Sequence, residues 1–180
     1  MTAHTVLLLA LIFVPMLIEA SIAARNERGQ RARGGVEPPG DVYGIMRVAY
    51  PVAFTAMVAE GAWDAAHAWL STGLAVFVVA KMLKWWAIAA LGPAWTFRVI
   101  VRPGVPLVAS GPYRFLRHPN YVAVAGELLG VALMSGARVF GPLMTLMFWG
   151  LMLKRIAVED RALELARHES QGAGTSFPDL

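Results

Sequence analysis

The chain is 180 residues long, and 57% of its residues are hydrophobic while only 16% are charged, which is far more apolar than an ordinary soluble domain. It contains no cysteine, which excludes disulfides, thiolate catalysis, Cys-ligated zinc and iron–sulfur clusters. The formal net charge of +4 does not indicate nucleic-acid binding, because the basic residues flank apolar segments and form no single stripe. We therefore expect an integral membrane protein that binds neither nucleic acid nor a metal ion.

The first apolar segment covers residues 2–24, and four arginines follow it within residues 25–33. This order is typical of a signal anchor. A cleaved signal peptide is the alternative, but positive charge normally precedes the apolar run of such a peptide. Residues 34–40 include two adjacent prolines and cannot continue a helix, so they are predicted to form a linker.

Four more apolar segments are predicted to be helices, at residues 42–59, 67–91, from just after Pro119 to 134, and 139–156. Each has about the length that crosses a hydrocarbon core of about 30 Å. Residues 158–168 mix charged and apolar side chains and predict an amphipathic interfacial helix, and residues 171–180 are predicted to be disordered. The fold class is thus all-α, a multi-pass bundle of about five transmembrane helices in one domain over residues 1–168, with a disordered tail at 169–180.

The distribution of lysine and arginine predicts the orientation of this bundle. With the arginine-rich loop inside, five crossings place 15 of the 16 basic residues at cytoplasmic ends or loops and leave Arg138 outside. The amino terminus is then outside the cell membrane and the carboxyl terminus is cytoplasmic. The loop at 92–120 and the tail share the cytoplasmic side, where we expect the active site.

The loop between the third and fourth segments is long and polar, and loops of this kind usually carry function. Its second half reads GPYRFLRHPNY at 111–121. Proline is favoured in the first turn of a helix, so Pro119 is predicted to open the fourth helix with His118 at its membrane mouth. The free N–H groups of a helix start also suit an anionic ligand.

Several other polar or aromatic residues are candidates with two open interpretations. Arg155 and Glu159 share one helix face and form either a site or a surface ion pair. A buried carboxylate is costly unless it is paired or neutral, so Glu127 is either functional or a paired contact between helices, whereas Glu19 is predicted to be interfacial. Tryptophans near segment ends are typical of a membrane-interface belt, although Trp95 is equally suited to line a ligand pocket; the belt candidates are Trp85, Trp86, Trp95 and Trp149.

The motif at 111–121, followed by Arg155 and the sequence EDRAL at 159–163, resembles the isoprenylcysteine carboxyl methyltransferase family. The match extends over about the last 90 residues, which predicts a catalytic core at 92–168. The segment WTFRVIV at 95–101 and Pro103-Gly104 also resemble a bacterial, polyketide-associated branch that methylates alkylpyrones or alkylresorcinols. One residue departs from the family pattern, since Asp160 stands where the second of two glutamates is usual.

The resemblance implies a methyltransferase that uses S-adenosylmethionine, with His118, Pro119, Tyr121 and Glu159 in contact with this cofactor and Arg155 beside the reacting centre. Two more residues of the same loop, Tyr113 and Arg117, are expected to bind the cofactor too. The acceptor is expected to be a lipophilic small molecule that enters from the membrane lipid and is methylated on oxygen.

The chemistry of the acceptor decides which residues act. An ionised carboxylate or enol needs an anion clamp, which suits Arg155, whereas a phenol needs a base, for which Glu127 and His118 are the candidates. Three alternatives stay open: methylation of a prenylcysteine carboxylate or of a phospholipid amine, an NADPH-dependent sterol-type reductase, and a non-enzymatic membrane scaffold.

Overall fold

Helices make up the regular structure of the computed structural model, which describes residues 2–63, 68–102, 105 and 108–172, with the backbone alone at 166–172. The α-helices in these residues are α1 (Ala3–Ala32), α2 (Tyr43–Trp63), α3 (Leu70–Leu91), α4 (Pro119–Ser135) and α5 (Phe140–Gly172). The described residues contain no β-strand, only an isolated bridge between Val36 and Val101. The predicted all-α fold class is therefore confirmed.

Three stretches within the described residues are long and apolar enough to cross a membrane, namely Ala3–Ala32, Leu70–Ala94 and Phe140–Leu165. Helix α4 has 17 residues and is thus about 25 Å long, somewhat shorter than a hydrocarbon core of about 30 Å. Helix α2 carries Arg47 near its start. The chain is a membrane protein, while five crossings and the orientation stay predictions.

Two helices are longer than predicted. Helix α1 continues to Ala32, so its last turns contain arginines that the sequence pattern assigned to a loop. Helix α5 runs unbroken to Gly172, because no proline or glycine lies between Ile156 and His168 to end the helix. Residues 158–168 are helical, as predicted, but they continue α5, and their position at the membrane interface stays a prediction. Of the tail predicted to be disordered at 169–180, residues 169–172 are helical and residues 173–180 lie outside the described residues.

Close packing of α3 against α4 depends on small residues. A Cβ atom at Gly130 would lie 2.8 Å from the Cβ of Phe77, and one at Gly73 would lie 2.5 Å from the backbone nitrogen of Met134. Neither contact leaves room for a side chain, so glycine permits the two backbones to approach. Helix α4 itself begins with Pro119 and ends at Ser135, and the next residue, Gly136, has a φ of +70° that suits glycine.

A cluster of four charged side chains lies inside the bundle, where α1, α3 and α4 meet. The ammonium group of Lys81 lies 2.8 Å from the carboxylate of Glu19 and 3.1 Å from that of Glu127. The ammonium group of Lys84 lies 2.9 Å from Glu19 and 3.2 Å from Glu127. The Tyr50 hydroxyl, from α2, donates a hydrogen bond to Glu127. We call these five residues the buried charge cluster.

The buried charge cluster corrects two expectations. Glu19 is predicted at the interface but is fully buried. Its burial is tolerated because Lys81 and Lys84 neutralise the charge of its carboxylate. Lys81 and Lys84 are predicted among the cytoplasmic basic residues, yet Lys84 is buried and both pair inside the bundle. For Glu127, the structure shows the paired contact between helices.

Candidate functional site

A cavity of about 730 Å³ lies between the loop after α3, the first turn of α4 and the second half of α5. Six residues that the sequence singled out line it, which are Tyr113, Arg117, His118, Tyr121, Arg155 and Glu159. Trp95 also lines it and is 2% exposed, as its pocket interpretation expected. Pro119 is buried at the start of α4 and does not form part of the wall.

Glu127 does not line this cavity. Its carboxylate is held in the buried charge cluster by two lysines and Tyr50, so we assign it no role as a base. The expectation that it acts in catalysis is not retained.

The short turn before α4 depends on Gly111. Its φ is +59°, and a Cβ atom there would lie 2.7 Å from the Cβ of Ala90 in α3. Glycine therefore permits a 3₁₀ turn at Gly111–Arg114 to pack against α3. This turn brings Tyr113 to the cavity wall.

A chain of hydrogen bonds connects three residues of the wall, and each residue donates to the next. The Nε of Arg155 donates to the hydroxyl of Tyr121 at 3.0 Å, and this hydroxyl donates to Oε2 of Glu159 at 2.7 Å. Arg155 also donates to the carbonyl oxygen of Phe97. The carboxylate of Glu159 thus has a fixed orientation beside the cavity.

Three other polar side chains on the wall each have an atom without a hydrogen-bond partner in the described part of the chain. The atoms His118 Nε2, Asn120 Oδ1 and Asp160 Oδ1 are buried and make no hydrogen bond with any described residue. Oδ1 of Asp160 lies 3.4 Å from both His118 Nε2 and Arg117 Nη2, which brings these groups together without completing a hydrogen bond. Because buried polar atoms nearly always have a partner, these three atoms are available to a polar ligand or to ordered water.

Helix α1 holds the loop that forms the other wall. The side-chain amide of Asn26 donates to the carbonyl oxygens of Gly92 and Trp95, at 3.1 and 2.8 Å. Gln30 donates to the carbonyl oxygen of Pro93 at 2.7 Å. Neither residue is found from the sequence pattern, because the first helix is predicted to end before them.

Asp41 is a further residue that the sequence pattern did not reveal. Its side chain is 3% exposed, and its Oδ1 lies 3.7 Å from Nη1 of Arg155. Its position just before a predicted helix is a known signal for a cap, but no local pattern connects it to an arginine in the last helix.

The sequence of the chain is similar to known proteins. Residues 73–165 match the model of the isoprenylcysteine carboxyl methyltransferase (ICMT) family. The uncharacterized protein YpbQ of Bacillus subtilis (strain 168) is 31% identical over 166 residues, which are 88% of this chain and 95% of YpbQ. An uncharacterized protein of Haemophilus influenzae is 24% identical over 121 residues, which are 66% of this chain and 70% of that protein. No solved structure matches the chain significantly.

Proposed function

Since the chain belongs to the isoprenylcysteine carboxyl methyltransferase family, we propose that it transfers a methyl group from S-adenosylmethionine to an oxygen atom of a lipophilic small molecule. The reaction takes place at the cytoplasmic side of the cell membrane. Alkylpyrones and alkylresorcinols are the acceptors that we favour, because the sequence at 95–104 resembles that branch of the family.

The observation that carries the proposal is the set of unbonded polar atoms in a cavity of suitable size. A volume of about 730 Å³ is within the range of about 300–1,000 Å³ found for small-molecule sites. S-adenosylmethionine presents an ammonium, a carboxylate, hydroxyls and an adenine to its binding site. The donors and acceptors of His118, Asn120 and Asp160, together with the carboxylate of Glu159, offer partners for such groups.

The residues that hold the cofactor have distinct tasks. Glu159 accepts hydrogen bonds from hydroxyl or amino groups, and its fixed orientation avoids an entropic cost on binding. Burial, and next the nearby Glu159 carboxylate, raises the pKa of the Tyr113 phenol well above its usual range. Tyr113 is protonated at neutral pH, as an ordinary phenol also is, and can donate a hydrogen bond. His118, Arg117 and Tyr121 complete this wall.

When bound, S-adenosylmethionine supplies an electrophilic methyl group on a sulfonium centre. The protein then has to align the acceptor oxygen with this methyl group and exclude water. Arg155 is buried and lines the cavity, where its guanidinium attracts an ionised enol or carboxylate. For a phenol acceptor, His118 lines the cavity and is able to accept the proton.

Isothermal titration of the detergent-solubilised protein with S-adenosylhomocysteine tests the proposal, with NADPH as the control ligand. We expect S-adenosylhomocysteine to bind and NADPH not to bind. His118→Ala should lose most of the affinity, whereas Thr55→Ala, on the exposed side of α2, should keep it. Binding of NADPH alone would overturn the proposal and favour a membrane reductase.

A further inference from the structure

The carboxylate of Asp41 connects three separate elements. Its Oδ1 accepts a hydrogen bond from the backbone N–H of Tyr43, at the start of α2, at 3.0 Å. Its Oδ2 accepts one from the backbone N–H of Val99, in the loop after α3, at 3.0 Å. The same carboxylate lies 3.7 Å from the guanidinium of Arg155 in α5. Asp41 is thus the place where the linker, the loop and the last helix meet.

Arg155 connects the carboxylate of Asp41 to the cavity. Arg155, Tyr121 and Glu159 line the cavity, whereas Asp41 does not. The order of contacts runs from Asp41 to Arg155, then to the Tyr121 hydroxyl and finally to Glu159. Asp41 lies outside the residues 73–165 that match the family model.

Charge explains why Arg155 needs this partner. Arg155 is only 8% exposed, so its guanidinium is poorly solvated and requires a nearby anion. Glu159 lies four residues further along α5 and shares a helix face with Arg155, which makes it a second available anion. Without Asp41, the guanidinium is free to pair with Glu159 directly and to withdraw that carboxylate from the cavity.

We propose that Asp41 is a positioning residue for the cofactor site, which holds the guanidinium of Arg155 in place and thereby keeps Tyr121 and Glu159 oriented towards the ligand. The effect on ligand binding rests on the proposed function. Asp41 itself does not touch the ligand.

Two substitutions of Asp41 separate its charge from its role at the start of α2. Asp41→Asn keeps the shape and removes the charge, and Asp41→Ser keeps a side-chain acceptor for the backbone N–H of Tyr43. The matched control is Glu60→Gln. Glu60 accepts hydrogen bonds from the backbone N–H groups of Arg138, Val139 and Phe140 at the start of α5, and it does not line the cavity.

Titration with S-adenosylhomocysteine should show both Asp41 variants binding about tenfold more weakly or worse, which corresponds to about 1.4 kcal/mol. Glu60→Gln should stay within about twofold of the unmodified protein. The double variant with Asp41→Asn and Tyr121→Phe should bind only slightly more weakly than the single variant of lower affinity, because both substitutions act on the same contacts. Unchanged affinity in the Asp41 variants, or losses that simply add, would overturn the proposal.

A second measurement does not depend on any ligand. In nuclear magnetic resonance spectra of the arginine-labelled protein, the Nε–H of Arg155 should exchange slowly with water in the unmodified protein and in Glu60→Gln. It should exchange faster in both Asp41 variants. Equal exchange in all four proteins would refute the role of Asp41. If S-adenosylhomocysteine fails to bind the unmodified protein, the proposed function fails, while this measurement still decides whether Asp41 holds Arg155.

Discussion

The ammonium group of Lys84 lies 3.2 Å from the carboxylate of Glu127, and the two side chains are 2% and 1% exposed. Neither charge reaches water, so each depends on the other and on Lys81 and Glu19. Two positive and two negative groups make the buried charge cluster neutral as a whole, which is the condition under which burial of charge is tolerated. The pairing also joins α3 and α4 to α1, which is otherwise a mostly apolar helix.

Removing one member of this cluster should be more harmful than removing a complementary pair. Lys84→Met or Glu127→Met leaves an uncompensated buried charge, for which we expect a loss of about 3–5 kcal/mol. The double variant leaves Glu19 paired with Lys81 at 2.8 Å and should recover much of the loss. Apparent unfolding temperatures in detergent measure this effect. A double variant as unstable as the sum of both single losses would contradict the interpretation.

Gly130 should tolerate no side chain. Gly130→Ala places a Cβ atom 2.8 Å from the Cβ and backbone nitrogen of Phe77, so α3 and α4 have to separate and the unfolding temperature should fall. Gly150→Ala is the matched control, because a Cβ atom at that position in α5 would have no neighbouring atom within 4 Å. That control should be neutral or more stable by about 0.5–1 kcal/mol. Equal behaviour of the two variants would speak against close packing at Gly130.

The hydroxyl of Tyr121 should matter for cofactor binding. Tyr121→Phe removes the link between Arg155 and Glu159 and leaves their polar groups unpaired, at about 1–3 kcal/mol. We expect the affinity for S-adenosylhomocysteine to fall about tenfold or more, measured by titration. Tyr50→Phe deletes an equivalent hydroxyl that donates to Glu127 outside the cavity, so it should lower stability without lowering affinity. If both variants bind alike, Tyr121 does not organise the site.

The contacts of Glu37 should make part of the stability depend on pH. Although partial burial opposes ionisation, hydrogen bonds from Arg31 and Arg98 hold the pKa of the Glu37 carboxyl below its ordinary value of 4.5. A lowered pKa in the folded state means that the stabilisation is present above pH 4.5 and is lost as the pH falls through the folded-state pKa.

The unfolding temperature of the unmodified protein should therefore exceed that of Glu37→Gln at about pH 7, and the difference should shrink as the pH falls through the folded-state pKa, below 4.5. The difference should be small, about 0.2–1 kcal/mol, because the ion pairs are partly exposed. A gap that stays constant over this range would show that charge is not its cause.

The amino-acid sequence by itself determined the class of the molecule and the approximate positions of its helices, but not where α1 and α5 end. Apolar segments of membrane length and their proline and glycine boundaries are local features, and they placed Pro119 at the start of α4 correctly. The motif at 111–121 and the residues Arg155 and Glu159 were also visible in the sequence, and the structure brings five residues of the motif to the same cavity as Arg155 and Glu159. That these residues bind a cofactor stays a prediction.

Only the tertiary structure decided which charged groups are partners. Nothing in the local pattern shows that Glu19 pairs with Lys81 and Lys84, or that Asp41 pairs with Arg155, because each pair joins elements far apart in the chain. Glu127 has the same appearance in the sequence whether it is catalytic or structural. Helix packing decides whether such a carboxylate has a partner, since a buried charge is stable only where another helix supplies its counter-charge.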